Sequence, residues 1–193
     1  MILKDKKIVF IHIPRCAGVS TERFFGWHGL RHETMQTYAN EYGFNYLDSC
    51  FKFTFIRNPW DRMVSWYFKH KNNKLYEPKT PEAFTKWIKG GMPNHWERNV
   101  NEVDKTNWAG KDALSCLDFL NNDQNINIDY IGKVETINKD MEYICNKANI
   151  EYKELPHVNK SDHKHYREYY NEETENIVRK RFKRDLLFFP YEF

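Results

Sequence analysis

The sequence predicts an α/β fold, a single domain in which a parallel sheet is flanked by helices. Two stretches predict it by repeating one order: a strand pattern, a loop that opens on an arginine, and a helix-start signal. The first runs from Ile8–Ile13 through Arg15 to Ser20, the second from Phe51–Ile56 through Arg57 to Asp61. Length agrees, since 193 residues suffice for one well-packed core and are short for two. Ligands of open parallel sheets bind at the carboxyl ends of strands, so both loops are expected at one edge. No internal repeat, low-complexity segment or linker breaks the chain into further domains.

The first stretch reads KIVFIHIPRCAGVSTERFF from Lys7 to Phe25. An apolar run feeds Pro14-Arg15 and then the small residues Cys16, Ala17, Gly18, Val19, Ser20 and Thr21. A helix is expected from about Ser20, with Glu22 in its first turn. The first N–H groups of a helix lack internal partners and carry partial positive charge. Small residues let those groups approach an oxyanion, and Arg15 adds a planar, charged donor fork. The stretch reads either as a phosphate or phosphosulfate cradle or as an ordinary buried strand and turn. Taken alone, it leaves both open.

A loop rich in His and Gly follows, Gly26 to His32, and then a helix is expected over Glu33–Tyr42. Phe51–Ile56 alternates apolar and polar residues as a strand does. Arg57-Asn58-Pro59-Trp60 is a turn signature, and Asp61 opens a helix expected to reach about Lys71. Pro81–Lys89 reads as a helix with proline at its start and Gly90-Gly91 at its end. Met92 to Lys111 has no clear period but carries His95, Trp96, Arg98 and Trp108; it is read as a loop for acceptor contacts or as a surface excursion. Ser115–Leu120 and Ile126–Ile131 are expected to pair as a hairpin. A helix then runs to about Ala148, with Ile137, Met141, Ile144, Cys145 and Ala148 on one face. A basic loop, Leu155 to Lys164, precedes a helix over Glu172–Arg184, and the apolar tail Leu186–Phe193 is expected to dock on the core.

Composition narrows the function. Hydrophobic residues at 40% and charged residues at 30% point to a soluble globular chain. Aromatics at 17% serve either a bulky core or a ring-lined site for a flat ligand. A net charge of +3 is too mild for a dedicated nucleic-acid binder, yet suits a small polyanion. No run is long enough to span a bilayer, and the N-terminal stretch lacks the apolar core of a signal peptide. Cys16, Cys50, Cys116 and Cys145 are widely spaced and form neither a zinc pattern nor a disulfide framework. A reducing, cytoplasmic setting is therefore expected. No metal-ligand cluster is visible in the sequence.

Arg57 closes one strand, and Ser65 follows eight residues later, about one turn into the next helix. With the Arg15 loop this makes two anion sites on one sheet edge, a layout that suits a nucleotide with phosphates at both its 5′ and 3′ ends. Ile13-Pro14-Arg15-Cys16-Ala17-Gly18-Val19-Ser20 resembles the 5′-phosphosulfate loop (HIPKTAGTS-like) of sulfotransferases that use PAPS, 3′-phosphoadenosine-5′-phosphosulfate. Phe55 to Ser65 resembles the 3′-phosphate motif of that family, with Arg and Ser at the family spacing. Gly29-Leu30-Arg31-His32 is similar to the segment that carries the catalytic base in its heparan-sulfate and bacterial branch. Tyr130 to Glu135 and the terminal Asp185…Phe189-Pro190-Tyr191 also resemble that branch.

The resemblance spans nearly the whole chain. It implies a P-loop-like sheet and transfer of the sulfuryl group of PAPS to an acceptor hydroxyl of a small molecule or glycan. The coproduct is adenosine 3′,5′-bisphosphate, and no metal is required. His32 is the expected general base, with His28 as the alternative, because imidazole is poised for proton transfer near neutral pH. Arg15, with the backbone of Cys16 to Ser20, stabilises the leaving 5′-phosphate. Arg57 and Ser65 hold the 3′-phosphate, and Asn159 and Lys160 close over the nucleotide or belong to a solvated loop. One departure stands out: the family usually has Lys where this chain has Arg15. That keeps open a non-catalytic protein that only binds the bisphosphate nucleotide. A P-loop kinase is the other rival, although GxxxxGK[ST] is absent and no Lys follows Gly18.

Overall fold

The computed structural model describes residues 1–29, 32–69, 78–92, 115–121, 125–156, 158 and 163–193. Along them run β1 (Ile2–Leu3), β2 (Ile8–Ile11), α1 (Gly18–Phe24), α2 (Met35–Tyr42), α3 (Phe44–Asp48), β3 (Phe51–Ile56) and α4 (Pro59–Lys69). Then come α5 (Pro81–Lys89), α6 (Cys116–Leu120), β4 (Tyr130–Lys133), α7 (Ile137–Lys147), α8 (Glu172–Arg181) and α9 (Lys183–Phe188). The chain forms two compact units. One takes Met1–Arg57 and Cys116–Asn159, the other Asn58–Ser115 and Lys160–Phe193.

The first unit holds the sheet, in the order β1-β2-β3-β4. β1 is antiparallel to β2, and the other pairings are parallel, as the α/β reading predicts. Ile11 lies opposite Thr54, and Ile56 opposite Lys133, so β2, β3 and β4 end at a common edge. All four residues of β2 are buried, which its uninterrupted IVFI requires of a strand covered on both faces.

The alternation of β3 does not mark a wet face. Lys52 and Thr54 are buried like Phe53 and Phe55 beside them, because each polar end is satisfied. Lys52 Nζ donates to the carbonyls of Leu47 (3.2 Å) and Cys50 (2.7 Å), and Thr54 Oγ1 donates to the Ile11 carbonyl at 2.8 Å. The Glu33–Tyr42 helix starts later than expected, at Met35, because Thr34 caps it by accepting from the Thr37 N–H.

The expected hairpin is corrected. Cys116–Leu120 is helical, and Tyr130–Lys133 pairs in parallel with β3 instead. Cys116, Leu117, Phe119 and Leu120 are all buried, a spacing that shares one face of a helix but both faces of a strand. Gly132 fits β4 over the Phe55 ring, where a Cβ would lie 2.5 Å from Cε1. Asp140 ties the end of β4 to α7, accepting from the Lys133 N–H, the Thr136 hydroxyl and the Tyr130 hydroxyl.

The second unit is helical and aromatic. α4 begins at Pro59, two residues before Asp61, because Asn58 Oδ1 accepts from the N–H groups of Trp60 (3.0 Å) and Asp61 (3.4 Å). α5 keeps the predicted bounds, capped by Thr80 and stopped at Gly90. Trp60, Met63, Val64, Tyr67, Phe84, Trp87, Ile88, Val178 and Phe182 pack into its core. The helix expected over Glu172–Arg184 is broken at Phe182 into α8 and α9. The tail docks only in part: Phe189 is buried and the Phe193 ring lies 5.5 Å from that of Trp60, but Leu187 and Phe188 are exposed. Most of the stretch read as an acceptor loop, with His95, Trp96, Arg98 and Trp108, lies outside the described residues. Among those described, no helix is long and apolar enough to cross a membrane.

Candidate active site

β2 ends at Ile11, and the chain reaches α1 through His12-Ile13-Pro14-Arg15-Cys16-Ala17. Two of these residues sit in the left-handed region, Arg15 at φ 66° and Ala17 at φ 58°. Each such placement of a residue with a Cβ costs about 1–2 kcal/mol. Strain of this kind is held where the surrounding fold over-determines it, often around ligands. Alternating left- and right-handed residues also turn successive N–H groups into one concavity suited to an anion.

The Cys16 N–H is taken up within the loop by the Ile13 carbonyl at 3.2 Å, and its side chain is buried. Thr21 bonds back to the Ala17 carbonyl through both its N–H and its hydroxyl, each at 3.1 Å. The amides of Gly18, Val19 and Ser20 precede it, where α1 supplies no carbonyl one turn earlier, and no side chain caps the helix. The Ser20 hydroxyl meets the backbone of Val158, accepting from its N–H at 3.3 Å and donating to its carbonyl at 3.4 Å.

Arg57 follows β3 directly and comes to the same loop, its Nη1 donating to the Arg15 carbonyl at 3.3 Å. Burial pulls the Arg15 guanidinium down to about 10, and the charge of Arg57 adds to the shift. It remains a cation at neutral pH. Two cations held close and partly stripped of water repel one another, and a bound anion relieves both penalties. Ser65 is buried within α4, in the second unit. Asn159 and Lys160 lie outside the described residues.

The histidines bring a group that the sequence reading missed. His12 and Glu22 are 2% and 1% exposed, and His12 Nδ1 lies 2.9 Å from Glu22 Oε1. α1 begins at Gly18, so Glu22 falls in its second turn and faces inward instead of flanking its start. Gly18 makes the space for the imidazole, since a Cβ there would stand 1.8 Å from His12 Cδ2 and 1.9 Å from Nε2. His32 is half-buried, and its ring meets that of His12 edge-on, with centroids 4.4 Å apart and planes at 62°. His28 is exposed. The structure thus brings His32, but not His28, into a row with His12 and Glu22. The sequence signal was the histidine interrupting an apolar run: a buried imidazole needs a polar partner.

A model of the family described as Sulfotransferase family matches residues 1–192. No curated protein and no solved structure matches the chain. The family match takes in the Arg15 loop, Arg57, the histidine row and β4 together.

Proposed function

Because the chain belongs to the sulfotransferase family, we propose that it moves the sulfuryl group of PAPS in line to an acceptor hydroxyl, that of a carbohydrate by resemblance. Adenosine 3′,5′-bisphosphate is released. The observation that carries this reading is the pair of arginines at the sheet edge. Arg57 reaches the Arg15 loop, and burial and like charge act together on Arg15.

PAPS supplies a sulfuryl group on a bisphosphate leaving group. Arg15 and the amides of Ala17 to Ser20 bind the 5′-phosphate side, where negative charge grows as the S–O bond breaks. A guanidinium keeps its proton, so Arg15 stabilises the leaving phosphate by charge and not by protonating it. Arg57 takes the 3′-phosphate, with Ser65 assigned to the same role from the motif alone. His32 accepts the hydroxyl proton as the acceptor oxygen attacks sulfur. Asn159 and Lys160, outside the described residues, are assigned to the nucleotide from the sequence alone. The lysine replaced by Arg15 favours one second reading, a protein that binds adenosine 3′,5′-bisphosphate without turnover.

The test is transfer from PAPS to a panel of sugar acceptors, followed by release of adenosine 3′,5′-bisphosphate. His32→Ala should leave nucleotide binding intact and lower transfer by about 10²–10⁴-fold. Full activity in His32→Ala would remove His32 from the role of base. Consumption of ATP that depends on magnesium would overturn sulfuryl transfer.

A further inference from the structure

We propose that His12 and Glu22 are a positioning pair that sets the base, His32, in register with the donor loop; this rests on the reading of His32 as the base. The pair is buried in the interior of the first unit, where apolar residues would fill the space without desolvating a carboxylate. Glu22 Oε2 has no hydrogen-bond partner among the described residues, so the carboxylate is only half satisfied. Buried polar groups left in this condition are where a fold gives up stability for another purpose.

The His12 ring is held on several sides. Glu22 fixes its Nδ1 at 2.9 Å. Phe10 stacks on it, with centroids 5.9 Å apart and planes at 26°. The backbone of Gly18 closes its Nε2–Cδ2 edge so tightly that no Cβ fits. His32 then packs against the same imidazole at 4.4 Å. Rotating the His12 ring would lose the Glu22 bond and clash with Gly18. One locked imidazole therefore touches both Gly18, where the anion loop passes into α1, and the base. In-line transfer needs base, acceptor and donor aligned closely, and a misplacement of about 1 Å can cost about 10²-fold in rate. His12 and Glu22 touch neither donor nor acceptor in this scheme. They act through His32 and Gly18.

The substitution that separates positioning from packing is Glu22→Leu, which fills similar volume without the hydrogen bond. It should keep the fold and the KM for PAPS while lowering kcat by about 10–100-fold. Glu22→Gln, which can still accept from His12 Nδ1–H, should recover most of that loss. A folded Glu22→Leu enzyme with wild-type kcat overturns the pair and, if His32→Ala is inactive, leaves the base assignment standing. Imidazole NMR of the unmodified full chain gives a readout that needs no variant. The His12 Nδ1 proton should be protected from exchange and in close contact with the His32 ring. A rapidly exchanging Nδ1 proton with no such contact overturns the proposal.

Discussion

The two strand-loop-helix stretches look alike in sequence and are built on opposite principles. The helix after Arg57 is locally consistent: Asn58 caps it, Pro59 opens it, and nine of its eleven residues are buried. The helix after Arg15 begins without a side-chain cap, behind two non-glycine residues in the left-handed region. A half-satisfied His–Glu pair lies beneath it. Local rules agree in the second helix start and conflict in the first, so the first gives up stability that the second keeps.

That contrast can be broken by substitution. The largest effect is expected at Gly18→Ala, where the new Cβ meets three His12 ring atoms at 2.5 Å or less. Denaturant unfolding should show a loss of about 3 kcal/mol; an unchanged midpoint would mean that His12 is free to move. Asn58→Ala should cost about 1–2 kcal/mol in the same measurement through loss of the cap. It also removes the bond from Asn58 Nδ2 to the Glu192 carbonyl at 2.9 Å. The smallest effect has the opposite sign. Ala17→Gly relieves the left-handed strain and should stabilise by about 1 kcal/mol. A destabilised Ala17→Gly protein would show that the Arg15 loop is no more strained than its counterpart.

The sequence made these stretches legible to different depths. β3 and α5 follow their predicted bounds, because an alternating aromatic strand and a proline start with a Gly-Gly stop are local signals. Cys116–Leu120 was misread because five apolar and polar residues fit either period, and only burial of both adjacent pairs decides for the helix. The arginines and their loops were visible as motif. The His12–Glu22 contact was not, since it joins the end of a strand to the second turn of the following helix. It also depends on Gly18 having no side chain. Sequence spacing does not encode a contact made through an absent Cβ.

The central claim is that the paired arginines form a site for a nucleotide with two phosphate groups. Its most direct measurement is the thermal shift produced by adenosine 3′,5′-bisphosphate against AMP, in the wild-type protein and in Arg57→Ala. At about 100 times Kd a ligand adds about 2.7 kcal/mol of stability, or about 5–10 °C in Tm for a chain of this size. The account predicts a shift of that order for the bisphosphate, a much smaller one for AMP at equal concentration, and no difference between the two in Arg57→Ala. Equal shifts by both nucleotides in the wild-type protein would contradict it.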